Sequence, residues 1–139
     1  LGLVAIDPGT VTGFASFRER VLVSAGFGPF EVISLPLAPR VVLEVPRVYP
    51  VSKGDPNDLI TLAMIAGEIR HRYRVQGIEV REVWPRTWKG NVPKDVHHKR
   101  VLKCLSAAEL VVIPKRPRGG DDHNCLDAIG LGLWALERM

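Results

Sequence analysis

Two short apolar runs each carry one acid, and no other feature of the chain narrows its fold as much. Gly2-Leu-Val-Ala-Ile6 leads straight into Asp7 and the turn-forming Pro8-Gly9-Thr10, while Val41-Val42-Leu43-Glu44-Val45 holds a glutamate inside it before Pro46. Runs apolar at nearly every position read as strands buried on both faces of a sheet. A carboxylate taken out of water costs several kcal/mol unless a cation compensates it, so neither acid is placed for stability. One arginine for each would suffice as compensation. A third acid, Asp127, lies among Leu126, Ala128 and Ile129 in the last apolar segment.

The intervening pattern predicts the remaining elements. Thr12 to Phe17 alternates as a strand does, Arg18-Glu19-Arg20 forms a hairpin tip, and Val21 to Ala25 returns, which makes three antiparallel strands with the first run. The prolines and glycines of 26–40 allow no helix beyond a turn or two. After the strand 41–45, a helix runs from an N-cap at Asn57 or Asp58 to about Tyr73, followed by a strand from Ile78 to Val83 and a Trp/Pro loop over 84–93. A helix over Val96 to Leu105, a short strand over Leu110 to Ile113, a basic Pro/Gly loop over 114–120 and a helix over Asp122 to Glu137 complete the chain. At 139 residues, with no repeat or linker, this is one α/β domain over 1–139 built on a mixed sheet.

Helical spacing adds to the acid site. On the last helix His123 lies four residues before Asp127, about 40° away around the axis, and Asn124 lies three before, about 60° away. Asp122 is the N-cap. Three carboxylates with no cysteine and at most one histidine make a hard, oxygen-rich ligand set that suits Mg²⁺ or Mn²⁺.

Charge points to the partner. Residues 81–118 carry ten basic and three acidic side chains, a density that fits a polyanion, although a solvated basic face would look the same. The candidates for DNA contact are Arg86, Lys89, Lys94, Lys99, Arg100 and Lys103, with Lys115, Arg116 and Arg118 before the last helix. Trp84 and Trp88 offer rings for stacking, with at least one expected in the core. His97 and His98 have no metal-ligand spacing to an acid and read as backbone contacts or surface. Cys104 and Cys125 stand apart and read as packing. No stretch approaches the length of a membrane span and none looks like a signal peptide, so a cytoplasmic protein with no membrane partner is expected.

Taken in order, Ile6-Asp7-Pro8-Gly9-Thr10-x-x-Gly13-Phe14-Ala15, the strand carrying Glu44, and Asp127-Ala128 opening an apolar helical run resemble the RuvC-like Holliday junction resolvases of the RNase H-like superfamily. Gly54-Asp-Pro-Asn-Asp-Leu59 before a helix, and Trp84-Pro85-x-x-Trp88-Lys89-Gly90, look most like the phage-type branch. The resemblance implies a five-stranded mixed sheet, three antiparallel strands followed by parallel ones, flanked by helices. It implies that Asp7, Glu44 and Asp127 hold two divalent ions and that a homodimer makes paired, symmetric cuts in four-way DNA junctions. The setting would be the cytoplasm of a bacterium or, for a phage-encoded chain, of the infected host.

Three departures accompany the match. Where the family has Asp or His three residues before the helix aspartate, this chain has Asn124: either His123 turns in, or the amide serves as ligand, or an Asp→Asn change stands there. The helix between the third and fourth strands is replaced by a Pro/Gly stretch. The aromatic residue expected three positions after the glutamate is Arg47, with Tyr49 two further on, and both join the candidates for DNA contact. Competing readings are a related nuclease acting on flaps, nicks or hybrids, and a non-catalytic junction-binding protein.

The helix near Asn57 bears on assembly. Leu59, Ile60, Leu62, Ala63, Met64, Ile65 and Ala66 leave almost no polar face for two turns. A helix covering one side of a sheet needs only a stripe, so a second copy of the chain is expected on its outer face.

Overall fold

The computed structural model describes residues 2–50 and 54–139. Five strands, β1 (Gly2–Asp7), β2 (Val11–Arg18), β3 (Val21–Pro29), β4 (Arg40–Glu44) and β5 (Glu79–Val83), form one sheet in the order β3-β2-β1-β4-β5. The pairs β1–β2 and β2–β3 are antiparallel, whereas β1–β4 and β4–β5 are parallel. The hairpin tip falls at Glu19 and Arg20, both with positive φ, as a tight two-residue turn requires. Helices α1 (Pro56–Arg74), α2 (Pro85–Lys89), α3 (Lys94–Lys103), α4 (Ala107–Val112) and α5 (His123–Ala135) complete the fold.

The two faces of the sheet are covered by different helices, and the period-two alternation of β1 and β4 decides which residue meets which. Val4, Ile6, Val41 and Leu43 pack with Ile65, Ala66, Ile69 and Tyr73 of α1. Leu3, Ala5 and Val42 pack on the other face with Ala128, Ile129, Leu131 and Leu133 of α5. Each buried Val, Leu or Ile among them contributes roughly 1.5–3 kcal/mol relative to exposure. No helix among the described residues is long and apolar enough to cross a membrane.

Four local readings of the sequence differ from the structure. α1 begins at Pro56 rather than after Asn57, because the Asp55 carboxylate accepts the Asn57 N–H at 2.9 Å and proline suits the first helical position. The 84–93 loop contains α2, again opened by a proline. α3 starts at Lys94, two residues earlier than the apolar pattern indicates. The segment 110–113 belongs to helix α4 and its C-cap instead of a strand: Ser106 and Glu109 form a reciprocal capping box that overrides the β-branched Val111-Val112-Ile113.

Candidate active site

Alternation brings the acids together. One residue beyond the Ile6–Leu43 pair, Asp7 and Glu44 end adjacent parallel strands on the α5 face of the sheet. Gly13, paired with Asp7 across β1–β2, admits α5: a Cβ there would lie 2.1 Å from the Asn124 carbonyl oxygen. The Asp122 side chain caps α5 by accepting the N–H groups of Asn124 and Cys125. Asp127 follows one turn later, buried among Leu126, Ala128 and Ile129.

The charges of these acids act on one another. Burial pushes the Asp7 carboxyl well above the usual aspartate range, and the charges of Glu44 and Asp127 push it further. Glu44 is also raised, chiefly by burial, against the opposing pull of Lys89 and a Trp88 hydrogen bond. Three acids share a space in which none is well solvated.

Their protein partners come from α2 and α3. The Trp88 indole Nε1–H donates to Glu44 Oε2 at 2.7 Å, and Lys89 Nζ lies 3.6 Å from the same oxygen. Burial works against the Lys89 ammonium, yet Glu44, Asp127 and Asp7 hold its pKa above the ordinary lysine value. His98 Nε2 lies 3.0 Å from Asp127 Oδ1, in hydrogen-bond contact, and His97 Nε2 lies 4.0 Å from that oxygen. His97 is 4% exposed, its Nε2 has no hydrogen-bond partner among the described residues, and its ring meets Trp88 edge-on at 4.9 Å. Burial lowers its pKa.

The reading of His97 and His98 as backbone contacts or surface is therefore corrected. Because α3 begins at Lys94, its inward face is His97 and Val101, four residues apart, and that face packs on α5 at Gly130. A Cβ at Gly130 would lie 2.9 Å from Val101 Cγ2 and 3.0 Å from the Trp88 ring. The signal in the sequence was the spacing His97-x-x-x-Val101. Of the two tryptophans, Trp88 is buried and Trp84 is exposed.

The other candidates fall into separate groups. Asn124 is half-buried at the start of α5, with its backbone on Asp122, and His123 is exposed at the first helical position. Lys89 turns onto Glu44 instead of outward. Lys94, Lys99, Arg100 and Lys103 lie exposed on α3, and Lys94 is close enough to act on Asp7. Lys115, Arg116 and Arg118 are exposed in the loop before α5, with Lys115 bonded to Asp121. Arg47 stacks on Trp84 and Arg86 on Tyr49.

Among the described residues no three His, Cys, Asp or Glu side chains are grouped closely enough to hold a metal ion as they stand. The donor chemistry nonetheless fits a hard divalent cation: the central groups are carboxylates, buried and mutually repelling, with a lysine supplying part of the missing positive charge.

No family model and no curated protein matches the sequence. Solved structures do match. The chain is similar to T. thermophilus RuvC in complex with Holliday junction substrate, with a TM-score of 0.66, 14% identity, and coverage of 96% of this chain and 91% of that one. It is likewise similar to a Thermus thermophilus RuvC structure, with a TM-score of 0.56, 13% identity, and coverage of 96% and 92%. With the strand order, the mixed pairing and the flanking helices, these similarities show that the chain has the RuvC-like, RNase H-like fold.

Proposed function

We propose that the protein is an endonuclease dependent on Mg²⁺ or Mn²⁺ that resolves four-way DNA junctions as a homodimer. The observation that carries this reading is the convergence of Asp7, Glu44 and Asp127 at the edge of a strongly basic segment, with Asp7 and Glu44 pushed up by burial and then by neighbouring carboxylate charge. Asp7, Glu44 and Asp127 would hold the ions, with the Asn124 amide as a further oxygen ligand. Such ions, held by these residues, would supply Lewis-acid activation of water and charge stabilisation for an in-line phosphodiester displacement.

The chain's own residues do the rest. Trp88 fixes the Glu44 carboxylate and His98 fixes that of Asp127 through the hydrogen bonds described above. Lys89 and Lys94 bring positive charge to the acids, where a DNA phosphate must approach against their repulsion. Lys99, Arg100, Lys103, Arg116 and Arg118 offer exposed charge for the flanking backbone.

The dimer reading is supported by the outer face of α1. Ile60 and Met64 are 58% and 70% exposed, and with Leu59 and Ala63 they leave an apolar strip on the surface. A twofold axis through that strip would present two acid clusters to two strands of one junction. Light scattering combined with strand-resolved cleavage of a mobile four-way junction tests the proposal. A dimer making symmetric paired cuts is expected. A monomer, or single unpaired cuts with a preference for flaps or nicks, would replace it with the flap-nuclease reading.

A further inference from the structure

The loop that leads into α5 carries two cations for which the fold has no use of its own. Lys115 and Asp121 close its base, joined by a side-chain contact and a backbone bridge. Arg116 and Arg118 lie between them, both exposed, and neither pairs with a carboxylate among the described residues, although Arg70, Arg72 and Arg138 all do. Gly119 and Gly120, at φ of 88° and 79°, turn the chain back, and a Cβ at Gly120 would lie 2.9 Å from Arg116 Nη2. The guanidinium is thus seated on the backbone of its own loop.

This loop forms one wall of a cleft of about 540 Å³, lined by Phe27, Arg116, Pro117, Arg118, Gly119 and Asp122. That volume falls within the roughly 300–1,000 Å³ of small-ligand sites. Phe27 and Pro117 give the cleft an apolar wall, and the arginines give it a cationic one. The one carboxylate in that lining, Asp122, has its Oδ1 committed to the Asn124 and Cys125 N–H groups of α5.

Strand register ties the cleft to the acids. Asp7 pairs with Gly13 and Gly13 with Phe27, so the three form one row across β1, β2 and β3 and face the same side of the sheet. Phe27 packs accordingly with the core on the α5 face. At about 4.8 Å per strand, Phe27 lies about 10 Å from Asp7, on the side away from Glu44. The first turn of α5 stands over Gly13 between them. With about 3.4 Å of helix rise per nucleotide, the cleft is within about three nucleotides of a phosphodiester held at Asp7.

We propose that this cleft is a phosphate subsite: it takes one sugar–phosphate unit of the strand being cut, with Arg116 and Arg118 on the phosphate and Phe27 and Pro117 against the deoxyribose. This rests on the proposed nuclease reading and deepens it by naming a point, apart from the reacting bond, at which that strand is gripped. A guanidinium presents paired donors that match two phosphate oxygens, and here two are left without an anion. A phosphate is present at every step of the strand, so the grip fixes where the strand lies relative to Asp7 without reading its bases. Because the cleft lies at one end of the row, it acts on one side of the scissile bond.

Mapping the cut bond with the wild-type protein and Mn²⁺ gives the reference position. Junctions carrying a single neutral methylphosphonate, placed in turn on either side of that bond, are then bound in chelator and followed by fluorescence anisotropy. Wild type should lose about tenfold in affinity at a position within about three nucleotides of the cut, on one side only. The Arg116→Ala/Arg118→Ala double variant should bind the unmodified junction about tenfold more weakly, with the slope of log affinity against log salt reduced by about one. It should also be indifferent to the methylphosphonate at that position while keeping the losses seen elsewhere. Equal losses for wild type and double variant at every position, or coupling spread over both sides of the cut, would overturn the inference. If wild type cuts junctions in symmetric pairs while no position couples to these arginines, this inference alone fails. Should wild type neither cut the junction nor prefer it to duplex, the nuclease reading on which it rests fails with it.

Discussion

Glu109 and Asp7 are both almost wholly removed from water, 3% and 9% exposed, and the fold treats them in opposite ways. Glu109 accepts the N–H groups of Leu22 and Ser106 and both guanidinium nitrogens of Arg138, at 2.7 to 3.0 Å. The Arg138 hydrogen bonds lead in holding its carboxyl down at about 2. Asp7 has two further acids as neighbours and is pushed up. A buried carboxylate whose oxygens are all met by protein donors is architecture: Glu109 ties the β2–β3 hairpin, α4 and the C-terminal end together, since Arg138 also donates to the Arg20 and Cys104 carbonyls. A buried carboxylate crowded by like charge is one that the fold leaves without a full complement of positive charge.

The contrast is open to direct tests. The largest effect is expected at Asp7: Asp7→Asn should slow junction cleavage about 10³-fold or more, because several kcal/mol of charge stabilisation in the transition state depends on that carboxylate. The same variant should melt no lower than wild type in chelator, since it removes repulsion. Robust cleavage by Asp7→Asn would sink the assignment. Glu109→Gln should behave in the reverse manner, with cleavage per folded molecule retained and stability reduced by about 3 kcal/mol, or roughly 10 °C in Tm, because Arg138 is left without its anion.

A smaller effect belongs to His98, whose contact with Asp127 orients the acid. His98→Ala should weaken Mn²⁺ binding, measured by calorimetry, and cleavage by about 10- to 100-fold, with partial rescue by His98→Gln. Unchanged metal affinity would reduce the contact to packing. The smallest effect is in the pH dependence of melting in chelator. Glu109, with a depressed folded pKa, contributes stability that is full above about 4.5 and is lost as pH falls toward about 2. Asp7, with a raised folded pKa, does the opposite: stability is lost as pH rises from about 3.8 through its folded value. Asp7→Asn should therefore flatten the upper part of the melting profile and Glu109→Gln the lower part. A profile unchanged in either variant would count against the difference between the two acids.

The acid-bearing strands were legible because burial leaves a local mark. A lone carboxylate closing Leu3-Val4-Ala5-Ile6, and another in Val41-Val42-Leu43-Glu44, stands out against its own neighbours whatever the rest of the chain does. α4 was not legible, since Val111-Val112-Ile113 favours a strand by side-chain shape. The deciding hydrogen bonds belong to Ser106 and Glu109, whose spacing marks a helix start only once it is weighed above β propensity. The His98 contact, and the turn of Lys89 onto Glu44, were hidden for a different reason. A lysine in a basic segment and a histidine beside another have no local feature saying which way they point.

What the sequence by itself determined is the set of acids, the alternation that places Asp7 and Glu44 on one face, and the helix that carries Asp127, because strand and helix periods are properties of consecutive residues. Only the tertiary structure decided what meets those acids. Trp88 and Lys89 reach Glu44 across 44 and 45 residues, and His98 reaches Asp127 across 29. Those contacts depend on how closely α5 approaches β2 at Gly13 and on how α2 and α3 pack against Gly130. The glycines are visible in the sequence, but the partner filling the space each leaves is set by packing between segments far apart in the chain.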